Sequence, residues 1–188
     1  MEMYETPRQF VDLNVIRFQG SILDVGGGGE GIISRHSRDR VVAIDKHRGE
    51  LEETPDVGLK IVMDACDLGF LDRSFDNVTC FYSLMYMPSE DVSRVVREAY
   101  RVLKPNGFLW IWDVTIPPAP LAEIFIAPIR VKVSDSVTLS TSYGVGWDHE
   151  LSLKGVLRIC RKTGFIVEHT AESDQSFSLQ LRKPALFL

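Results

Sequence analysis

Short runs rich in β-branched residues alternate with amphipathic stretches over the first 113 residues. That alternation allows few folds, because a strand followed by a helix and another strand builds a parallel sheet with crossover helices. Residues 21–25 (SILDV), 41–45 (VVAID), 59–63, 75–82 (FDNVTCFY) and 108–113 (FLWIWD) read as five strands. The fourth is apolar enough to be buried on both faces. Residues 32–37 and 48–53 read as short helical turns. The clearest helix spans 89–103, where Val92, Val95, Val96, Ala99, Tyr100 and Leu103 recur at helical spacing. Ser89 is placed to cap it, Glu90 and Asp91 suit its positive end, and residues 104–107 (KPNG) stop it.

Regularity breaks at residues 115–120 (TIPPAP), and residues 129–143 alternate like a hairpin around 134–136. Residues 114–147 therefore read as an insertion, and residues 1–19 as an N-terminal arm. A second amphipathic helix, near 152–162, ends at Gly164. The last two strands, 165–171 and 176–181, are separated only by 172–175, too short for a parallel crossover, so they must be antiparallel. The expected fold is α/β: a doubly wound, mainly parallel seven-stranded sheet with an antiparallel C-terminal hairpin and a small hairpin insertion after the fifth strand. With 188 residues against about 150 per domain, one domain over 1–188 is expected.

No apolar run approaches the roughly 18 to 20 residues that cross a bilayer, and the start, with Glu2, Glu5 and Arg8, does not resemble a signal peptide. A cytoplasmic protein with no membrane partner is expected. Cys66, Cys80 and Cys160 stand singly, which fits neither a disulfide framework nor a metal site. A net charge of −5 disfavours nucleic acid.

Residues 26–29 are four consecutive glycines at the end of the first strand, where open α/β sheets bind ligands. The spacing Gly26-x-Gly28-x-x-Gly31, with Asp45 nineteen positions after Gly26, also satisfies a dinucleotide fingerprint. Charge separates the candidates. A pyrophosphate prefers a bare helix start, yet Asp24 stands two residues before the first glycine. That carboxylate repels phosphate and attracts an ammonium or sulfonium, which points to S-adenosylmethionine. Asp24 could instead cap a local turn.

The segments ILDVGGGGEG (22–31), AID (43–45), MDACDLGFLDRSFDNV (63–78) and EAYRVLKPNGFLWIWD (98–113) together resemble class I S-adenosylmethionine-dependent methyltransferases. The resemblance covers residues 20–113 and, through strand order, the terminal hairpin. It implies that Asp24 holds the methionine ammonium through a local network and that Gly26 and Gly28 let the backbone pass beside the methionine part. It further implies that Asp45 accepts the ribose hydroxyls and Asp64 the adenine amino group, that Ala65 and Cys66 lie near the ring, and that Tyr82 lines the sulfonium side. The family pattern places a third glycine at position 30, where this chain has Glu30. Read without the resemblance, Asp45 and Asp64 could be helix caps and Tyr82 a core residue.

The implied enzyme is a methyltransferase acting on a small-molecule acceptor that the sequence does not identify. No catalytic residue is assigned, and no metal is implied. His149, beside Asp148, is the first candidate for a general base, with a structural role as its alternative. His47 is placed at the ribose rim. The cluster Arg35, Arg38 and Arg40 reads as cations near a helix C-terminus. Acceptor choice should lie with the arm (Tyr4, Phe10, Phe18), with residues 82–87, and with the insertion, which is expected to be either a lid or a homodimer contact. The rival readings are a small NAD(P)-binding oxidoreductase and a non-catalytic S-adenosylmethionine-binding protein that works through a partner.

Overall fold

In the computed structural model, which describes residues 2–118 and 122–185, the chain runs β1 (Met3–Glu5), β2 (Gln9–Asp12), β3 (Ile22–Val25), α1 (Ile32–Ser37), β4 (Val41–Asp45), α2 (Arg48–Glu53), β5 (Leu59–Val62), β6 (Phe75–Phe81), α3 (Ser89–Val102), β7 (Leu103–Val114), β8 (Ile124–Lys132), β9 (Thr138–Gly146), α4 (Leu153–Thr163), β10 (Ile166–Ser173) and β11 (Ser176–Arg182). Strand β3 is buried along its whole length, Asp24 included, as a strand central in a parallel sheet is covered on both faces. Its neighbours β4 and β6 both run parallel to it. The main sheet has the order β10–β11–β7–β6–β3–β4–β5, and β11 is antiparallel to both of its neighbours. This is the mainly parallel sheet with an antiparallel ending that the spacing of the last two strands requires.

From β3 the chain winds outward through β4 and β5, then returns to build β6 and β7 on the other side. Crossovers are right-handed, so this reversal sends α1 and α2 to one face and α3 and α4 to the other. It also opens a crevice at the carboxyl ends of β3 and β6. Helix α3 buries Val92, Val95, Val96, Ala99 and Val102, the stripe its spacing predicts. Each such side chain contributes about 1.5 to 3 kcal/mol of burial. The helix starts with Pro88, not Ser89, at the cap position, and it ends one residue early because Leu103 already pairs with Phe75 in the sheet. Lys183 donates to the carbonyls of Tyr100 and Leu103, satisfying the end of α3 where its own ladder stops. Helix α4 is capped by Ser152, which accepts from the Gly155 amide, and it closes at Gly164 with φ 108°.

The arm and the insertion form one structure. Strand β8 pairs antiparallel with β9 along one edge and parallel with β1 and then β2 along the other. The hairpin spans 124–146, beginning earlier than its alternation suggests, and residues 119–121 of the insertion lie outside the described residues, as does Met1 of the arm. The arm is therefore two strands, not an irregular tail. Tyr4 packs on Phe125 and Trp147, and Phe18 packs edge-on against Trp110 and His36. Tyr4 thus ties the arm to the insertion and Phe18 ties it to the main sheet, while Phe10 stays exposed.

Candidate active site

The crevice at the switch point is a cleft of about 590 Å³. Its floor begins where β3 ends. The amides of Gly26 and Gly27 both donate to the Ile44 carbonyl, which pins the glycine loop to β4. Two close approaches explain why the loop lacks side chains. A Cβ on Gly27 would lie 2.6 Å from Asp24 Oδ2, and one on Gly28 would lie 2.5 Å from the Glu50 Cβ and 3.0 Å from Asp45 Oδ2. Either would force neighbouring groups apart.

Six of the seven residues named from the sequence, Gly26, Gly28, Asp45, Asp64, Ala65 and Tyr82, line this cleft. The seventh, Asp24, lies underneath the loop, 2 % exposed, with Oδ1 accepting from Thr79 Oγ1 at 2.7 Å. Burial pushes its pKa up to about 7, against the pull of the Thr79 hydrogen bond, and the charge of Asp45 adds to the rise. Asp24 therefore sets the field of the loop from below. Asp45 and Asp64 share one geometry: Oδ1 accepts the backbone amide two residues on, His47 and Cys66 respectively, at 2.8 Å in each case. The turn orients each carboxylate and leaves Oδ2 without a partner among the described residues. Each acid thus makes a local turn, as the capping alternative expects, and also lines the cleft.

Tyr82 follows directly on β6 with φ 50°, a left-handed conformation unusual for a bulky residue. Its hydroxyl donates to Gln9 Oε1 at 2.6 Å, so β2 holds the ring in place. Burial raises its pKa well above the usual phenol range. The following turn, Leu84–Tyr86, hangs from Asp113, whose Oδ2 accepts from the Leu84 amide at 2.9 Å while Oδ1 accepts from Val114. Asp113 is fully buried, and burial lifts its pKa to about 7 against those amide bonds.

The hairpin covers this end of the cleft. Ser142, Tyr143 and Gly144 of β9 line it, and Tyr143 stacks on Tyr82 with ring centres 5.3 Å apart and planes at 25°. Glu30 accepts a hydrogen bond from Thr141 Oγ1. Glu30, Glu50 and Tyr143 are cleft residues that received no role from the sequence. Position 30 showed itself only as a departure from the glycine pattern, and the other two gave no local signal.

His149 does not line the cleft. Its Nδ1 lies 2.6 Å from Asp148 Oδ1 and its Nε2 donates to the Met85 carbonyl at 2.9 Å, so both ring nitrogens are engaged in holding the turn. His47 does border the cleft. Arg35 and Arg40 donate to the carbonyls of Glu30 and Phe18, local ties of the bland kind.

Comparison with known proteins agrees with this geometry. A family described as a methyltransferase domain matches residues 23–111, from β3 into β7. The chain is 40% identical over 94 residues to a demethylmenaquinone methyltransferase of Listeria monocytogenes, covering 50% of this chain and 35% of that protein. It is 37% identical over 109 residues to a ubiquinone/menaquinone biosynthesis C-methyltransferase of Desulfotalea psychrophila, covering 53% and 43%. The chain thus spans well under half the length of these curated relatives. A solved S-adenosylmethionine-dependent methyltransferase from Methanosarcina mazei superposes with a TM-score of 0.67 at 19% identity, covering 92% of this chain and 96% of that one. The matched segment carries the floor of the cleft: residues 23–111 are similar to a methyltransferase domain, and the chain shares its fold with a solved S-adenosylmethionine-dependent methyltransferase.

Proposed function

We propose that this chain transfers the methyl group of S-adenosylmethionine to a small organic acceptor. The charge of the cleft carries this reading: Glu30, Asp45, Glu50, Glu53, Asp64 and Asp91 line it against a single lysine, Lys46. Such a cleft attracts a sulfonium and repels a pyrophosphate, which counts against a nicotinamide dinucleotide. The side chains suit the cofactor. Asp45 Oδ2 would accept the ribose hydroxyls and Asp64 Oδ2 the adenine amino group, with Ala65 and Cys66 beside the ring. Gly26 and Gly28 would pass close to the methionine part, Tyr82 would wall the sulfonium side, and Asp24 would add negative charge from beneath.

When bound, S-adenosylmethionine supplies an electrophilic methyl carbon, which an acceptor lone pair takes as the carbon–sulfur bonding electrons return to sulfur. The chain's contribution is to hold and to enclose. Phe81, Tyr82 and Tyr143 give the site apolar walls that exclude water, which favours loss of the sulfonium charge. Positioning brings the acceptor to roughly 3 to 3.5 Å from the carbon.

The β8–β9 hairpin acts as the lid of this site, since its inward residues rest on the cleft of their own chain. It also lies beyond residue 111, where the family match ends. The quinone acceptors in the names of those relatives therefore do not carry over through the part that would recognise an acceptor. No described helix is long and apolar enough to cross a membrane.

Titration calorimetry of the purified chain with S-adenosylmethionine, S-adenosylhomocysteine and NADH tests the proposal. Micromolar binding of the first two and none of NADH is expected. Binding of NADH alone would refute it, and cofactor binding without turnover on any acceptor would favour the non-catalytic alternative.

A further inference from the structure

Glu30 stands where the family pattern has a glycine, and the structure gives that departure a purpose. Its carboxylate receives Thr141 Oγ1 of β9 and also faces the Tyr143 hydroxyl on the same strand. Two residues along β9, on the same inward face, Tyr143 stacks on Tyr82. Tyr86, on the turn that Asp113 suspends, lines the same end of the cleft beside Met87. One carboxylate and three phenol rings thus meet where the lid closes on the cofactor loop. Lys46, the lysine of the cleft, and His47 belong to the segment between β4 and α2, beside the ribose acid Asp45.

A second, independent observation points to a ligand in the cleft, beside Gly26. Ser83 is 5 % exposed, borders the cleft, and its buried hydroxyl has no hydrogen-bond partner. A buried hydroxyl without a partner is costly, so such a group is expected to be completed by something that enters the cleft. The hydroxyl accepts an N–H well, a carboxylate accepts one better, and aromatic faces favour a cation over an anion.

Resting on the methyl-transfer reading above, we propose that Glu30 is a positioning residue that seats a basic nitrogen of the acceptor, so that the acceptor class is an amine. Thr141 orients the carboxylate through one oxygen, and the nitrogen takes up the carboxylate's remaining capacity. Tyr82, Tyr86 and Tyr143 surround it, and Ser83 is completed by a second N–H. A phenol or a carboxylic acid finds no matching positive group at this end.

Three ligands of one shape and different charge test this: benzylamine, benzyl alcohol and benzoate, each titrated into the full chain saturated with S-adenosylhomocysteine and read by ligand-observed NMR. Benzylamine is expected to bind at least tenfold more tightly than benzyl alcohol, and benzoate not at all. Glu30→Gln, titrated at saturating S-adenosylhomocysteine, should collapse the amine's advantage to about twofold. Thr141→Val loosens the tie but keeps the charge, so the amine preference should persist. Equal binding of amine and alcohol, stronger binding of benzoate, or binding of none of the three to the saturated chain overturns the inference and leaves the methyl-transfer reading intact. Failure of S-adenosylhomocysteine itself to bind overturns that reading first.

Discussion

Asp24→Asn separates the electrostatics of the loop from its shape. The native pKa of Asp24, about 7, lies above its ordinary value of 3.8 because the carboxylate is buried. The folded state therefore holds this proton more tightly than the unfolded chain does. The resulting contribution to stability is fully present below pH ~4 and is lost as pH rises through about 7. Integrated from pH 5 to pH 8, Asp24 alone costs the fold about 2 to 3 kcal/mol, most of it below pH 7. For a chain of this size that corresponds to roughly 5 to 10 °C in melting temperature. Asparagine keeps an oxygen for the Thr79 hydroxyl, 2.7 Å away in the native structure, and carries no charge. Thermal melts of the cofactor-free protein followed by circular dichroism should show the variant gaining on the parent as pH rises, with the difference widening by that amount from pH 5 to pH 8. Parallel pH profiles would show that Asp24 does not titrate as its burial implies.

A charged Asp24 favours a cationic ligand, so affinity for S-adenosylmethionine should rise from pH 6 to pH 8 more than affinity for the uncharged-sulfur product; calorimetry on Asp24→Asn should find that difference gone. Asp45→Ala should weaken S-adenosylmethionine binding ten- to hundredfold, about 1.5 to 3 kcal/mol for lost bonds to a charged group, and an unaltered dissociation constant would remove Asp45 from the site. Gly28→Ala places a methyl 2.5 Å from the Glu50 Cβ, so it should lower stability by about 1 to 3 kcal/mol in denaturant titrations and also weaken cofactor binding. Asp113→Ala leaves the buried Leu84 amide without its acceptor, and hydrogen exchange at residues 84–86 should speed up well before global unfolding does.

The parallel core and its antiparallel ending were legible because they rest on local quantities: the run length of apolar residues, the helical stripe of α3, and a gap of four residues that no crossover can fit. Strands β1 and β2 were not legible. They are three and four residues long, and the register that stabilises them joins Met3 to Ile124 and Gln9 to Ile129, partners far away in sequence. A short segment whose stability comes from a distant partner carries little pattern of its own. His149 failed as a base for the same kind of reason, since its contact with Met85 crosses the fold.

The proposed cofactor side and the proposed acceptor side differ in this respect for a physical cause. Asp45 and Asp64 each orient themselves through an amide two residues away, so their geometry is written within a few positions of chain. The acceptor side is assembled from the glycine loop, the turn after β6 and strand β9, which meet only when the hairpin folds over. Glu30 joins the two, since it belongs to the glycine loop and touches the hairpin. It interrupts a local glycine pattern, which made it visible, and it receives Thr141 from 111 positions away, which its neighbours in sequence could not foretell. A departure from a local pattern is thus a trace of a non-local constraint. If so, restoring the pattern with Glu30→Gly should release the hairpin, seen as faster hydrogen exchange across β9; unchanged protection there would mean that the pairing of β8 with β1 and β2 and the Tyr82–Tyr143 stack keep the lid down without Glu30.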